Sequence, residues 1–206
     1  MREEYAQSGL DEATAGRDPF ALFATWLADA VAAQIIEPNA MALATASSDG
    51  KPSVRIVLLK GFDHAGMVFY TNFDSRKGRE LLANPHAAAV MLWHPLQRQV
   101  RVEGAVTRVD PAESDEYFAL RPRGSQLGAV SSPQSQLVSG RSELELHFDR
   151  AESQFAGRAV ERPEHWGGYR MELHTIEFWQ GRKNRLHDRL LFERNRTGWD
   201  VERLAP

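Results

Sequence analysis

The sequence predicts a single α+β domain, in which a mainly antiparallel β-barrel carries peripheral helices. The segments with period-two alternation are short and follow one another through hairpin turns. The segments with helical spacing stand between these strands instead of alternating regularly with them. The 206 residues suffice for one substantial core, and no linker or internal repeat divides them.

The N-terminal half begins with a polar stretch, residues 1–17, that we expect to be mobile. Asp18-Pro19 is typical of a helix cap followed by proline at the first helical position, and apolar residues at helical spacing continue this helix through 34. Ser48-Asp49-Gly50 is a hairpin signal. The pattern then predicts strands at 41–46, 54–60 and 67–71, a short helix at 75–83, and strands near 86–93 and 98–109.

The C-terminal half repeats the cap-and-proline signal at Asp110-Pro111, which starts a helix predicted to reach about Leu120. Residues 121–140 are rich in Gly, Ser, Pro and Gln, and we expect a long irregular segment of the kind that carries function. Beyond it the pattern predicts a helix at 141–156 and strands near 169–180, 186–194 and 198–204.

Composition narrows the class of protein. With 42% hydrophobic residues, 26% charged residues and a net charge of -3, the chain has no global attraction to nucleic acid or an anionic membrane. The absence of cysteine excludes disulfides, thiolate nucleophiles and sulfur-based zinc sites, and the histidine spacing predicts no metal site. The charged start and the lack of a long apolar run predict a cytoplasmic protein. Neither GxGxxG nor GxxxxGK[ST] occurs.

A cationic segment near the C-terminus is the most informative local feature. In an extended chain, Arg185, His187 and Arg189 would share one face, which suits an anionic ligand and suits a solvated surface equally well. The opposite face would place Asp188 between two leucines, so this carboxylate needs a partner if that face is buried.

Several other basic groups have the character of phosphate sites. Arg76-Lys77 opens a helix, where backbone N–H groups favour an anion, and Tyr117 and Arg121 lie one helical turn apart. Each is also explained by a solvated charge at the end of an element, except Arg55, which lies inside an apolar strand and needs a partner. Strict alternation puts Arg55 and Lys60 on opposite faces, so the strand twists or the two residues serve different sites. These residues alone leave an anion-binding module and an enzyme both open.

Taken together, spaced segments over the whole chain resemble the pyridoxine/pyridoxamine 5′-phosphate oxidase family. The resemblance runs from Arg2 to Pro206 and is specific because so many segments match. The segments that carry it are Arg55–Lys60, Phe69–Asn72, Ser75–Lys77, Arg98–Val100, Tyr117–Phe118, Arg121–Arg123, Ser125–Ala129, Gln134–Ser135, Trp166–Gly168, Glu177–Gly181 and Arg185–Arg189.

The resemblance implies a Greek-key-like split β-barrel over residues 18–206 that forms a homodimer with FMN at the subunit interface. The residues it assigns to FMN are Arg55, Ile56, Val57, Leu58, Leu59, Lys60, Tyr70, Thr71, Arg76, Lys77, Gln99, Gln134, Ser135, Trp179 and Arg189. The residues it assigns to the substrate are Arg2, Tyr5, Lys60, Tyr117, Arg121, Ser125, Arg185, Leu186 and His187, with Arg2 and Tyr5 closing over the site.

The implied reaction converts pyridoxine 5′-phosphate or pyridoxamine 5′-phosphate to pyridoxal 5′-phosphate. A hydride passes from C4′ to flavin N5, and O₂ takes the electrons to give hydrogen peroxide. Arg185 and His187 are the implied catalytic residues, Arg185 holding C4′ and His187 donating or accepting a proton.

Two alternatives stay open beside this interpretation. A related flavin oxidase of the phenazine pathway would share the FMN segments, but Tyr117, Arg121, Arg123 and Ser125 favour the vitamin B6 substrate. A non-catalytic FMN- or pyridoxal-phosphate-binding protein would not need the Arg185 and His187 pair.

Overall fold

The computed structural model describes residues 9–206. Arg2 and Tyr5 therefore lie outside the described residues. The helices are α1 Glu12–Ala15, α2 Pro19–Ala32, α3 Arg76–Ala83, α4 Pro111–Leu120, α5 Arg123–Ser131 and α6 Arg141–Gln154. The strands are β1 Ala40–Ala46, β2 Pro52–Leu58, β3 Gly61–Asp63, β4 Gly66–Asn72, β5 His86–Trp93, β6 Arg98–Arg108, β7 Trp166–Gln180, β8 Asp188–Arg194 and β9 Trp199–Arg203.

One antiparallel sheet, in the order β2-β1-β5-β6-β7-β4-β3, organises the described chain. The long strand β7 is its hub, because it pairs with β4, β6 and β8, while β9 extends β8. Immediately after β2 the Lys60 N–H donates to the Val68 carbonyl at 2.8 Å, so the chain crosses from β2 to the far edge and curls the sheet into a barrel. The predicted antiparallel barrel with peripheral helices is confirmed.

A bulge between β6 and β7 allows this curvature. The register shifts between Glu103 and Gly104, and a Cβ at Gly104 would lie 2.0 Å from the Glu172 carbonyl oxygen. Only glycine permits the two backbones to approach so closely.

Two hydrophobic cores hold the elements together. The main core fills the barrel, and aromatic side chains from α2, including Phe23 and Trp26, cover one end of it. A smaller core lies under α4, α5 and α6, where Phe118, Leu127 and Trp166 are buried. The smaller core matters for function because it fixes α4 and α5 against the rim of the barrel.

The predicted helix starts are confirmed in detail. The Asp18 side chain accepts from the Phe20 N–H at 2.9 Å, and Asp110 accepts from Ala112 at 2.8 Å, each with proline in the first turn. Caps of this kind stabilise a helix by about 1 kcal/mol.

The prediction for residues 121–140 was wrong over its first half, which forms α5. Leu127 at the centre of α5 is 2% exposed, and Arg123 donates to the Phe155 and Arg158 carbonyls just after α6, so tertiary packing supplies the energy that local composition lacks. The short strand β3 was not predicted, and β7 begins at Trp166 instead of 169. Residues 9–17 contain α1 and the buried Leu10, and the expected mobility of 1–17 stays a prediction.

Within residues 9–206, every helix is too short or too polar to cross a lipid bilayer.

Candidate active site

A cleft of about 490 Å³ opens between β2, β4 and the helices α3, α4 and α5. We call it the aromatic cleft. Its lining residues are Ile56, Val57, Leu58, Lys60, Tyr70, Thr71, Asn72, Lys77, Tyr117, Leu120, Arg121, Pro122, Ser125, Gln134 and Trp166.

Three stacked rings form one wall of the aromatic cleft. The Tyr70 and Tyr117 ring centroids are 3.9 Å apart at 16° between planes, and Trp166 continues the stack 5.5 Å from Tyr70. Tyr70 pairs with Gly168 on β7, where a Cβ would come within 2.8 Å of the Tyr70 ring. Burial raises the pKa of Tyr70 to about 12, and nearby Glu113 adds to the shift, so the phenol stays protonated.

Lys77 is a buried cation on the cleft wall. It lies in the first turn of α3, after the cap Ser75, and its Nζ donates to Thr71 Oγ1 at 2.9 Å and to Ser75 Oγ at 3.3 Å. Both partners are neutral hydroxyls. Burial and the nearby charge of Arg55 lower the pKa of Lys77 to about 8. A cation held this way at a helix N-terminus favours an anionic ligand.

Arg121 lies at the other side of the same cleft, just after α4. Its guanidinium carbon is 4.5 Å from the Trp166 ring centroid, and its Nη1 is buried without a hydrogen-bond partner among the described residues. Burial lowers the pKa of Arg121. An unsatisfied charged donor is costly, so this atom is suited to an anion in the cleft.

Arg55 is not a lining residue of the cleft, and it has the partner that its position in an apolar strand required. Its Nη1 donates to the Leu43 carbonyl at 3.1 Å and to Thr45 Oγ1 at 2.6 Å, and its Nη2 lies 3.3 Å from Glu80 Oε2. Lys60, past the end of β2, does line the cleft. The two residues therefore have different surroundings, as strict alternation suggested.

A second group of predicted residues lies at the far end of β7, and we call it the C-terminal cluster: Gln99, Trp179, Arg185, Leu186, His187 and Arg189. Trp179 stands opposite Gln99 on β6 and opposite Arg189 on β8. Arg189 donates to both carboxylate oxygens of the buried Glu177, at 2.8 and 3.0 Å. This bidentate pair fixes the Arg189 guanidinium.

The expected extended run through Arg185, His187 and Arg189 was wrong. Residues Lys183–Arg185 form a 3₁₀ turn, and Asn184 and Arg185 have φ of 58° and 62°. The strand begins only at Asp188, so alternation cannot set the Arg185 side chain. Left-handed backbone is uncommon for residues other than glycine, and its occurrence at a predicted catalytic residue indicates a functional constraint.

The His187 ring lies 4.6 Å from the Trp179 ring and accepts a hydrogen bond from the Arg182 N–H at its Nδ1, at 3.1 Å. That bond assigns the neutral tautomer with its proton on Nε2. Burial and the charge of Arg185 lower the pKa of His187, against the opposing effect of Asp188. The imidazole is therefore held neutral near pH 7.

Asp188 has the partners that its position demanded. Its Oδ1 accepts from Arg203 Nη1 at 2.8 Å, and its Oδ2 accepts from the Leu10 N–H at 3.1 Å and lies 3.3 Å from Arg182 Nε. Arg203 also donates to both carboxylate oxygens of Glu12, at 2.9 and 3.0 Å. We call this group the terminal clasp, because it ties residues 10–12 to the strand that follows His187.

The structure thus divides the predicted site. The predicted residues that line the aromatic cleft are Ile56, Val57, Leu58, Lys60, Tyr70, Thr71, Lys77, Tyr117, Arg121, Ser125 and Gln134. The predicted residues outside its lining are Arg55, Leu59, Arg76, Gln99, Ser135, Trp179, Arg185, Leu186, His187 and Arg189. Leu59 belongs to the main core. Among residues 9–206 no group of three His, Asp or Glu side chains could hold a metal ion.

Sequence reasoning assigned no role to four lining residues of the cleft, Asn72, Leu120, Pro122 and Trp166, of which Trp166 and Asn72 shape its wall. Trp166 completes the aromatic stack and carries Arg121 on its face, and Asn72 is buried at the end of β4. Both stand in segments that match the family, Trp166–Gly168 and Phe69–Asn72, and that was the available signal.

Comparison with known proteins identifies the family to which this chain belongs. The family model described as pyridoxamine 5′-phosphate oxidase matches residues 27–155, and the model for the pyridoxine 5′-phosphate oxidase C-terminal dimerisation region matches 166–206. The barrel and its cleft define an FMN-binding split-barrel protein. The chain belongs to the pyridoxine/pyridoxamine 5′-phosphate oxidase family.

Individual relatives agree. Pyridoxine/pyridoxamine 5′-phosphate oxidases from Synechocystis sp. and Pseudomonas paraeruginosa are 55% and 52% identical, over all of this chain and 96% and 97% of theirs. The crystal structure of PhzG from Burkholderia lata, in complex with tetrahydrophenazine-1-carboxylic acid, superposes with a TM-score of 0.88 at 34% identity, covering 93% of this chain and 94% of that one. An FMN-binding protein from Nostoc punctiforme shares the fold at 18% identity and a TM-score of 0.70.

Proposed function

We propose that this chain is an FMN-dependent oxidase that converts pyridoxine 5′-phosphate or pyridoxamine 5′-phosphate to pyridoxal 5′-phosphate, with O₂ as the electron acceptor. One observation carries the proposal: a single cleft holds two cations, the buried Lys77 and the half-buried Arg121, and neither has a carboxylate hydrogen-bond partner among the described residues. A flavin mononucleotide and a phosphorylated substrate together present two phosphates, and two separate cationic groups match them.

The residues present fit the cofactor. Lys77 and the α3 N-terminus suit its phosphate, and the edge strand β2 borders the cleft at Ile56–Leu58, where a flat ring system needs a surface. FMN, when bound, supplies the hydride acceptor and the reactivity with oxygen. Arg121, with Tyr117 and Ser125 beside it, suits the substrate phosphate, because these side chains gather at one end of the cleft.

A homodimer completes the site in this proposal. None of the C-terminal cluster residues lines the aromatic cleft, although the family assigns both groups to one reaction. On the outer strand β2, Val54 and Ile56 are 67% and 65% exposed, an apolar surface unusual for a monomer edge. The match to a dimerisation region over 166–206 supports a partner chain whose C-terminal cluster meets this cleft.

The residues of the C-terminal cluster orient the substrate and hydrogen-bond to the alcohol or amine that loses its proton. Arg185 has left-handed backbone, precedes strand β8 and is exposed to solvent, so its side chain is suited to contact the substrate near the reacting carbon. His187, neutral with its proton on Nε2, suits a hydrogen bond to the substrate alcohol or amine. Arg189 is held by Glu177 and suits the flavin as a fixed positive charge.

The test uses the purified chain and its visible spectrum. We expect a yellow protein that, with pyridoxine 5′-phosphate in air, forms the pyridoxal-phosphate chromophore and equimolar peroxide, and that bleaches when oxygen is excluded. A yellow protein that turns over neither B6 phosphate contradicts the substrate. Turnover of a reduced phenazine precursor instead favours the activity class of the PhzG relative, and flavin binding without turnover of any of these favours a carrier.

A further inference from the structure

A carboxylate that the proposed mechanism does not use lies behind the phosphate-binding side of the cleft. Glu80, one turn after Arg76 on α3, has a side chain only 8% exposed. Its Oε1 accepts from Arg76 Nε at 2.8 Å, and its Oε2 accepts from Ser53 Oγ at 2.6 Å and lies 3.3 Å from Arg55 Nη2. One buried carboxylate thus joins the two arginines assigned to FMN.

Two hydroxyls complete the network and fix its geometry. Thr45 donates to Glu80 and accepts from Arg55 Nη1 at 2.6 Å, while Ser53 contacts both Glu80 and Arg55 Nη2. Burial alone would raise the pKa of Glu80, but the hydrogen bonds from Ser53, Thr45 and Arg76 lower it to about 2. Glu80 therefore stays ionised throughout the neutral range.

We propose that Glu80 is a positioning residue for the FMN phosphate, because it holds the guanidinium groups of Arg55 and Arg76 in place before the cofactor arrives. The inference rests on the proposed assignment of both arginines to FMN. A free arginine side chain loses rotamer entropy when it is ordered, and a network that orders it in advance removes that cost from binding.

The test separates the phosphate from the rest of the flavin. Apoprotein of wild type and of Glu80→Gln, which keeps the size of the side chain, is titrated with FMN and with riboflavin, following flavin fluorescence. We expect the FMN Kd to rise on the order of tenfold, the effect of weakening one charge-assisted hydrogen bond, while the riboflavin Kd changes less than twofold. Glu172→Gln, which removes an arginine-paired carboxylate elsewhere on the barrel, is the matched control and should change neither.

The other outcomes overturn the inference. Equal weakening of FMN binding and riboflavin binding would show that Glu80 only stabilises the packing of α3 against β1 and β2. Tighter FMN binding would show that the charge of Glu80 repels the phosphate. Should Glu80→Gln fail to fold, Glu80→Asp keeps the charge but not the reach, so it must show the same FMN-specific loss. A wild-type protein that binds riboflavin as tightly as FMN would refute the assignment of the arginines, and this is seen before any variant is made.

Discussion

The aromatic cleft and the C-terminal cluster, which we propose serve one reaction, are built in opposite ways. In the cleft, the stacked rings pack in the smaller core, Lys77 Nζ donates to two neutral hydroxyls, and Arg121 Nη1 has no hydrogen-bond partner among the described residues. In the cluster, Arg185 and Leu186 are exposed at the end of the 3₁₀ turn, while Glu177 holds Arg189 and the Arg182 N–H holds the His187 ring. In our proposal the cleft binds the phosphates, whereas the C-terminal cluster presents its side chains outward to the partner chain.

The largest expected effect tests the chemical role of the cluster. Arg185→Leu should lower kcat on the order of 100-fold, because the substrate carbon loses its alignment, while FMN content stays at the wild-type level. Steady-state kinetics and the flavin absorbance of the purified variant measure the two quantities. Lys183→Leu, two residues away in the same exposed turn, is the control and should retain activity. Equal loss of flavin and turnover would instead make Arg185 a cofactor residue.

The next effect tests the binding role of the cleft. Arg121→Met should raise KM for the phosphorylated substrate by about 10- to 100-fold with little change in kcat, since the lost charge-assisted hydrogen bonds act equally before and during reaction. Arg141→Met, on an exposed ion pair of α6, is the control. A fall in kcat with unchanged KM would show that Arg121 acts in the chemical step and not in substrate binding. The aromatic cleft and the C-terminal cluster would then not differ in role.

The pH dependence of cofactor binding sharpens the same contrast. Lys77 has a folded-state pKa of about 8, below its ordinary 10.5, so it binds FMN phosphate as a cation below pH 8 and loses charge above it. The affinity of the apoprotein for FMN should fall up to tenfold per pH unit above 8. The Lys77→Met variant should bind FMN more weakly and lack this pH dependence.

The stability of the apoprotein should change with pH in the opposite direction. Between pH 8 and 10.5 the unfolded chain holds more protons than the folded chain, so Lys77 makes the free energy of unfolding rise with pH in that range. Flavin titrations and urea unfolding at several pH values measure both.

The smallest effect concerns the terminal clasp. Glu12→Gln leaves Arg203 with Asp188 but removes the bidentate contact to the N-terminal residues, so we expect a change of only a few-fold in KM and none in FMN content. The hydrogen bond from Arg203 lowers the pKa of Glu12 to about 2. The contact should therefore persist from neutral pH down to the acid pH at which the Glu12 carboxylate is protonated. A pH-jump experiment with substrate affinity as the readout detects its loss. A loss of kcat as large as that of Arg185→Leu would show that the clasp positions His187 itself.

Local patterns in the sequence determined most of the elements of this protein. The Asp-Pro caps of α2 and α4, the period-two strands and the hairpin through Ser48–Gly50 depend on interactions between near neighbours, so they can be read without a fold. The need of Arg55 and Asp188 for partners was equally visible, because a charge among apolar neighbours is costly wherever it lies.

The tertiary structure decided the features that depend on contacts between residues far apart in the sequence. Helix α5 forms because Leu127 finds the smaller core, and Arg185 leaves its expected face because a 3₁₀ turn precedes β8. Glu80 reaches Arg55 across 25 residues, and Arg203 reaches Glu12 across 191. Periodicity describes only neighbours within a turn or a strand, whereas these contacts depend on how the barrel closes, and the closure is a property of all strands together.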